Sequence, residues 1–402
     1  MRYTYEAIDN TGKHVKGTLD AENLASLRAA VKSQGLYLVD ASQEGMDFDI
    51  KIGKAHRKMK FKELALFCRQ MSAMLRTGVS LIRALDILYQ QSESAAIRNC
   101  IQGLYSDVQK GDMFSTALRR QADVFPPLMI AMVESGESSG TLDLAMMRLA
   151  TQYEADLKLK NKIKGAMVYP CVVGSIAILA VIGLITFVLP IFVSMYEGSD
   201  APLPALTVAM LGLSDLIRNW WYLLGVIIGL GVYGIIYFSR TDKGINLMDR
   251  VKLNAPMIHM TSTKVYAARF SRTIGNLVGS GIPLLTAIEI TSRVIGNSII
   301  MKKMSQMRED VRTGMSISES SRRAECFPPI VPAMISIGEE SGSLVEILEK
   351  VSEYLDEDVN SSISKLMSML EPALMVLVAA LVGIIVIGML LPIFGLAGTM
   401  GM

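Results

Sequence analysis

The sequence predicts a mainly α-helical, polytopic membrane protein with three transmembrane helices, two repeated cytoplasmic helical bundles and a small N-terminal α/β module of ββαβ order. Three observations indicate this class: an internal duplication, three long segments without charge, and an N-terminal stretch with strand-like alternation. Hydrophobic residues make up 51% of the chain, charged residues 19%, and the formal net charge is +2. Disordered chains and basic nucleic-acid-binding proteins have different compositions, so we expect no nucleic-acid partner.

Residues 1–45 form the predicted N-terminal module. Apolar and polar residues alternate in "YTYEAI", and "DNTG" marks a turn before a second strand, "HVKGTL". Asp20 is placed to cap a helix that ends at Gly35, and "LYLV" follows as the third strand. The N-terminus is polar and charged, so we expect no signal peptide. A charged linker, residues 46–60, connects this module to the rest of the chain.

The remainder of the chain is a duplication. "FPPLMIAMVESGESSG", which begins at Phe125, returns as "FPPIVPAMISIGEESG" at Phe327, 202 residues later. Upstream, "FCRQMSAMLRTGVSL" from Phe67 returns as "FSRTIGNLVGSGIPL" from Phe270, 203 residues later. Agreement over such long stretches indicates two copies of one structural unit.

Each copy has the periodicity of helices and no strand pattern. Apolar residues recur at helical spacing on both sides of Gly78 and of Gly281, so a glycine-centred turn between two antiparallel helices is predicted at each position. The first helical repeat is assigned to residues 61–166 and the second to residues 240–369.

Two motifs resemble enzyme signatures but lack the required context. "GESSG" matches the G-x-S-x-G nucleophile elbow, with Ser138 as the nucleophile, yet Glu340 takes that place in the second copy and neither copy follows a strand. "GLGVYG" matches a dinucleotide fingerprint but lies inside an apolar run. The Walker A pattern is absent. We therefore predict no enzyme and no catalytic, cofactor or metal site.

What the two copies of this motif share is a pair of glycines and one carboxylate, Glu137 or Glu339. One interpretation is local: the glycines permit a turn, and each carboxylate caps the helix that follows or forms a salt bridge within its bundle. The other interpretation is a docking contact for a basic partner surface. The sequence leaves both open.

Three segments are long and apolar enough to cross a membrane. No charge falls between Lys164 and Glu197, between Arg218 and Arg240, or after Glu371. Each segment supplies the roughly 20 apolar residues that a transmembrane helix needs. The predicted spans are residues 167–194, 219–239 and 370–395, with an outer segment at 195–218.

Lysine placement predicts the orientation. Lysines precede the first span and basic residues follow the second, whereas the segment between them is acidic. By the positive-inside rule the N-terminus is cytoplasmic, and the third span then places the C-terminus outside. Each repeat is followed by one outgoing span, and the middle span has no counterpart. We expect the middle span to return the chain, so that both repeats face the cytoplasm.

These features together resemble the inner-membrane platform protein of type IV pilus and type II secretion systems, the PilC/GspF family. The resemblance covers nearly the whole chain. In the second copy, Thr273 replaces Gln70 and Glu371 replaces Tyr169, so the two halves are expected to differ there. The signature positions are Phe67, Arg69, Gln70, Gly78, Pro126, Gly136, Glu137, Gly140, Tyr169, Pro170 and Pro190 in the first copy, and Phe270, Arg272, Gly281, Pro328, Gly338, Glu339, Gly342, Pro372 and Pro392 in the second.

The resemblance implies a non-enzymatic platform in the inner membrane, without a cofactor. Its implied partners are a hexameric assembly ATPase, pilin or pseudopilin subunits, other inner-membrane assembly proteins, membrane lipid and further copies of the same chain. The main alternative is a transporter or channel. Such proteins usually carry ionisable groups within the membrane and several spans per repeat, neither of which is found here. A signalling receptor is a third possibility, but the outer segment is short.

Overall fold

The computed structural model describes residues 2–8, 14–21, 26, 30–31, 36–43, 58–194, 204–239 and 241–400. The chain divides into two units, Met1–His56 and Arg57–Met402. Most of the predicted linker lies outside the described residues, as does the part of the predicted outer segment (195–218) that covers residues 195–203.

The first unit contains a three-stranded antiparallel sheet in the order β2-β1-β3. In β1 the register changes between Glu6 and Ala7, where the pairing with β3 is irregular. Residues 26, 30 and 31, between β2 and β3, are helical, and the side chain of Val31 is fully buried. The strands are β1 (Arg2–Ile8), β2 (His14–Asp20) and β3 (Tyr37–Gln43).

The first repeat is helical throughout its described length. The predicted turn is centred on Gly78, whose φ of +85° lies in the left-handed region that glycine adopts without strain. A further turn, at Gly111 with φ +95°, was not predicted. The helices are α1 (Phe61–Arg76), α2 (Leu81–Gln91), α3 (Ala95–Gln109), α4 (Phe114–Arg120) and α5 (Pro127–Ser139).

The second repeat reproduces this order and adds one helix at its start. Its turns at Gly281 (φ +83°) and Gly314 (φ +98°) match those of the first repeat. The added helix is α9 (Asp242–Asn254), from which the Asp249 carboxylate accepts a hydrogen bond from the backbone N–H of Ser298 (2.9 Å). The others are α10 (Pro256–Gly279), α11 (Leu284–Ile295), α12 (Ser298–Arg312), α13 (Ile317–Ala324) and α14 (Ile330–Ser341).

Each repeat continues without a break into a long apolar helix. α6 (Leu142–Gly183) leads through a π-helical turn at Leu184–Val188 into α7 (Leu189–Ser194), and α15 runs over Leu344–Met400. Among the described residues, two helical segments are long and apolar enough to span a membrane, Leu142–Ser194 and Leu344–Leu391. The predicted borders between repeat and span therefore fall within single helices.

The helix between them, α8 (Ala205–Phe238), is bent. Trp220 has non-helical backbone angles (φ −122°, ψ 22°), and the segments Ala205–Trp220 and Gly225–Ser239 meet at 81°. This pair meets the length and hydropathy requirements for a third span only if it is counted as one. The first segment packs on the ends of the two long helices, because Met210 is buried with Ile185 and Ile385.

One hydrophobic core extends through both repeats. In the first repeat α1 packs along α6, and in the second α10 packs along α15. Because buried side chains of both repeats belong to the same cluster, the two repeats form a single body. Its largest fully buried side chains include Phe114 and Phe125 from the first repeat and Phe270 from the second.

Candidate interaction site

The signature glutamates cap helices in both repeats. The backbone N–H groups of Phe114 and Ser115 donate to the two carboxylate oxygens of Glu137, at 2.7 and 3.1 Å, and the Ser115 hydroxyl donates to the same side chain at 2.7 Å. Glu339 accepts in the same way from the N–H groups of Ile317 (2.6 Å) and Ser318 (3.1 Å). Carboxylates stabilise helix N-termini through these free donors and the helix dipole.

This geometry corrects part of the sequence interpretation. The capped helices are α4 and α13, which precede the motif, and not the helices that follow the turn. Gly136 and Glu137 also lie within α5, so the motif is mostly helical and the turn begins at Gly140. The local interpretation of the glutamates therefore fits the contacts, but with a different helix as the partner.

The motif's glycines have two separate roles. Gly140 and Gly342 end α5 and α14 with φ of +71° and +69°, the left-handed conformation common at helix C-termini. Gly136 and Gly338 instead allow close packing of the next helix. A Cβ at Gly136 would lie 2.7 Å from the Cβ of Ala145, and one at Gly338 would lie 3.0 Å from the Cα of Leu344.

The signature arginines pair with acids on the long helices. Arg69 donates to both oxygens of Glu154, from Nε at 2.8 Å and from Nη2 at 2.5 Å. Its counterpart, Arg272, pairs with Asp356, 202 residues after Glu154. The hydrogen bond from Arg69 lowers the pKa of Glu154, and the same bond raises the pKa of Arg69. The acidic partners escaped sequence analysis, although both occupy the same repeat position.

The signature phenylalanines form matching aromatic pairs. The ring centroids of Phe67 and Phe125 are 6.2 Å apart, and those of Phe270 and Phe327 are 4.4 Å apart. Such contacts contribute about 1 kcal/mol beyond the burial of their area. The pairs join α1 to the start of α5, and α10 to the start of α14.

Pro126 and Pro328 precede α5 and α14, and their carbonyl groups accept the first hydrogen bonds of these helices. The carbonyl of Pro126 accepts from the backbone N–H groups of Met129 and Ile130, and that of Pro328 accepts from Val331. Gln70 and its counterpart Thr273 differ in burial: Gln70 is half-buried and lines a groove, whereas Thr273 is fully buried.

Tyr169 and Glu371, the other equivalent positions at which the copies differ, contact each other. The Tyr169 hydroxyl donates to Glu371, its repeat counterpart, at 3.5 Å. Both line a cavity of about 370 Å³ between α6 and α15, which Lys162 also lines. Pro170 and Pro372 lie inside these helices.

The last signature prolines occupy dissimilar surroundings. Pro190 follows the π-helical turn in the first span, whereas Pro392 lies in the helix that runs over Leu344–Met400. Proline removes a backbone donor, and π turns frequently accompany such interruptions.

The signature residues form repeated structural pairs and not one cluster. Among the described residues, no group of three or more His, Cys, Asp or Glu side chains is arranged to hold a metal ion. Burial raises the pKa values of the Cys68 and Cys100 thiols, and burial raises that of Cys326 to about 12. The contacts of the signature residues hold the helices of each repeat together.

Comparisons with known proteins place the chain in a family. The family model described as "Type II secretion system (T2SS), protein F" matches residues 67–190 and 270–392, and that of the N-terminal domain of the same protein matches residues 1–42. The type IV pilus assembly protein PilC of Thermus thermophilus is 32% identical over 99% of this chain and 98% of its own length.

Relatives from both systems are similar over comparable lengths. PilC of Pseudomonas aeruginosa is 33% identical over 93% of this chain and 100% of its own length. The type II secretion system protein F of Xanthomonas campestris is 31% identical over 99% of both chains. The two matches of the family model coincide with the two repeats, and so the chain belongs to the type II secretion system protein F family.

Proposed function

We propose that this protein is an inner-membrane platform for assembly of a type IV pilus or a type II secretion pseudopilus. The observation that carries this function is the duplicated domain of the protein F family, each copy continuing into a long apolar helix. Full-length relatives named for pilus assembly and for secretion support the same role. The chain is a structural component and not an enzyme.

The platform has three spans and holds both repeats in the cytoplasm. The shared core supports a location of both repeats on one side of the membrane. Since the first span leaves that side, the chain must return before the second repeat, and the bent helix α8 is the segment available for this crossing. Lysine asymmetry supports a cytoplasmic location for the repeats and an outer C-terminus.

The cytoplasmic body receives motion from a hexameric assembly ATPase, and the membrane helices handle pilin or pseudopilin subunits. Other inner-membrane assembly proteins, lipid and further copies of the chain complete the complex. The absence of a Walker A motif means that energy must come from a partner. The two repeats offer the ATPase related surfaces that share one hydrophobic core.

Complementation tests this function. A host lacking its own platform gene is supplied with this chain, and surface pili and secreted protein are both measured. Restoration of either fibre-dependent process is expected, and the one restored identifies the system. Co-purification of the assembly ATPase with the full chain, but not with the helices Leu142–Ser194 alone, is the second expected result. A chain that inserts and folds yet restores neither process contradicts the proposal.

A further inference from the structure

The two repeats contact each other through different faces. Asp156 accepts from Arg269 at 3.0 Å (Oδ1 to Nη2), and Gln152 accepts from the Asn276 amide at 3.3 Å. We call the side on α5 and α6 the docking face and the side on α10 the receiving face. The docking face comprises Ser135, Arg148, Gln152 and Asp156, and the receiving face comprises Arg269, Asn276 and Ser280.

Because of the duplication, each repeat has a docking face and a receiving face. Within the chain, only the docking face of the first repeat and the receiving face of the second are in contact. The second repeat carries an open docking face on α14 and α15, at the positions equivalent to those just named. The first repeat carries an open receiving face on α1. The open docking face comprises Ile337, Lys350 and Tyr354, whereas Asp358 is already paired with Lys264 of its own repeat. The open receiving face comprises Leu66, Ala73 and Thr77.

Exposure distinguishes the open faces from the used ones. Gln152 is 0% exposed, whereas its counterpart Tyr354 is 52% exposed. On the receiving side, Ala73 and Thr77 are exposed, while the equivalent Asn276 and Ser280 are partly buried. Apart from the packing of the long helices α6 and α15 on each other, the repeats therefore meet in one direction only. The docking face of the second repeat and the receiving face of the first are left uncovered in the single chain.

The open faces are also more apolar than the used ones. Tyr354 occupies the position equivalent to Gln152, and Ile337, which is 49% exposed, occupies the position equivalent to Ser135. On the open receiving face, Leu66, which is 55% exposed, occupies the position equivalent to Arg269. Solvent-exposed helix faces normally favour polar side chains, and exposed apolar groups arranged together mark interaction sites.

The open faces also differ from the used ones in side-chain size. Within the chain, Asn276 lies opposite Gln152. At the equivalent open positions, the small Ala73 replaces Asn276 and the large Tyr354 replaces Gln152. Tyrosine is enriched among the residues that contribute most to protein interfaces.

We propose that a second copy of this chain binds here, placing the open receiving face of its first repeat on the open docking face of the second repeat. Tyr354 then packs over Ala73 of the other copy, and Ile337 beside Thr77. This inference gives an interface to the homo-oligomer included in the proposed function. The contact is heterologous, and copies inserted in the same direction continue it around an axis normal to the membrane, as a ring or an open chain.

Cross-linking tests the direction of the contact. Two differently tagged full chains, both with Cys171→Ser to remove the thiol of the first span, carry Thr77→Cys and Ile337→Cys respectively. A short bis-maleimide is added to the membranes. Cross-linked dimers are expected when the two chains are co-expressed and not when either is expressed alone. A chain with both Ser135→Cys and Ser280→Cys should cross-link internally and serves as the positive control. Dimers formed by either single variant alone would overturn the heterologous contact.

Substitution of the open faces gives a second test. Leu66→Asp and Tyr354→Asp are each expected to weaken self-association of the full chain in detergent by about tenfold or more. Met113→Asp is the matched control, because Met113 is exposed and lies on neither face. Thermal unfolding checks that all three variants fold.

Unchanged self-association in both face variants would contradict the proposal. Loss of ATPase co-purification with intact self-association would also overturn it, by assigning the faces to the ATPase. Complementation by the unmodified chain is scored separately, so failure of the platform function is distinguishable from failure of this interface.

Discussion

At the scale of single residues, the signature glutamates show how one carboxylate determines the position of a helix. Glu137 uses both oxygens to accept from the first N–H groups of α4, and Glu339 does the same for α13. These donors have no partner within their own helices. Each glutamate therefore fixes the start of a short helix against the longer helix that carries it.

We expect Glu137→Gln and Glu339→Gln to lower the free energy of unfolding by about 1–3 kcal/mol each, because an uncharged amide loses charge-assisted hydrogen bonds and the dipole interaction. The matched control is Glu340→Gln, which removes the same charge from an exposed neighbour on α14. Chemical unfolding of the full chain in detergent measures the differences. A loss of ATPase binding at unchanged stability would favour the docking interpretation of these glutamates.

The thiols allow a second residue-scale prediction. Burial raises the pKa values of Cys68, Cys100 and Cys326, so their reactive thiolate forms are rare at neutral pH. We expect maleimide to label these three thiols slowly in the folded chain and rapidly after unfolding. Because the pKa values are raised, slow labelling should persist up to about pH 9. Mass spectrometry of labelled peptides checks this, with Cys171→Ser as control, and rapid labelling of Cys68 would contradict it.

At the scale of helices, the motif glycines fix how closely consecutive helices pack. Gly136→Ala is expected to destabilise by about 1–3 kcal/mol, since its Cβ would overlap that of Ala145, which belongs to a rigid helix. Gly165→Ala is the matched control. Gly165 lies within α6, and a methyl group there would meet no other atom within 4 Å, so alanine should stabilise by about 0.5–1 kcal/mol through helix propensity.

We expect Gly136→Ala to lower the free energy of unfolding and Gly165→Ala to raise it. Chemical unfolding of both variants under identical conditions measures these changes. Equal stabilisation by both alanines would show that α5 and α6 do not approach as closely as these distances require.

Much of the helix order follows from the sequence, because its signals are local. The breaks at Gly78 and Gly281 require only a residue that tolerates positive φ, and periodicity identifies the flanking helices. The equivalent turns at Gly111 and Gly314 were missed, although this glycine also recurs in both copies. The helix capped by Glu137 was assigned wrongly, since the contact joins residues more than twenty positions apart and depends on tertiary packing.

At the scale of the whole molecule, duplication predicts two similar bundles but not how they contact each other. Sequence comparison treats the copies as equivalent, whereas the structure joins the docking face of one to the receiving face of the other. The two copies differ at positions of this contact, where Gln152 is buried and its counterpart Tyr354 is exposed. Such differences have a clear meaning only when the partner surfaces are known.

The core shared by the two repeats limits how many times the chain can cross the membrane. If only the two segments Leu142–Ser194 and Leu344–Leu391 crossed, the repeats would lie on opposite sides of the membrane, and their common buried cluster argues against that arrangement. We therefore expect α8 to cross despite its bend. Reporter fusions after Gly35 and Asp310 should then be cytoplasmic, and fusions after Asp200 and Met402 should be outside.

Each fusion site is tested with a pair of reporters, one active only in the cytoplasm and one active only outside, so that every negative result has a positive counterpart. The fusion at Asp310 discriminates most sharply, because it is cytoplasmic with three spans and outside with two. An outside signal there would contradict both the crossing by α8 and the single core. A cytoplasmic signal at Met402 would instead show that α15 does not complete its crossing, which its long apolar segment and the lysine asymmetry both oppose.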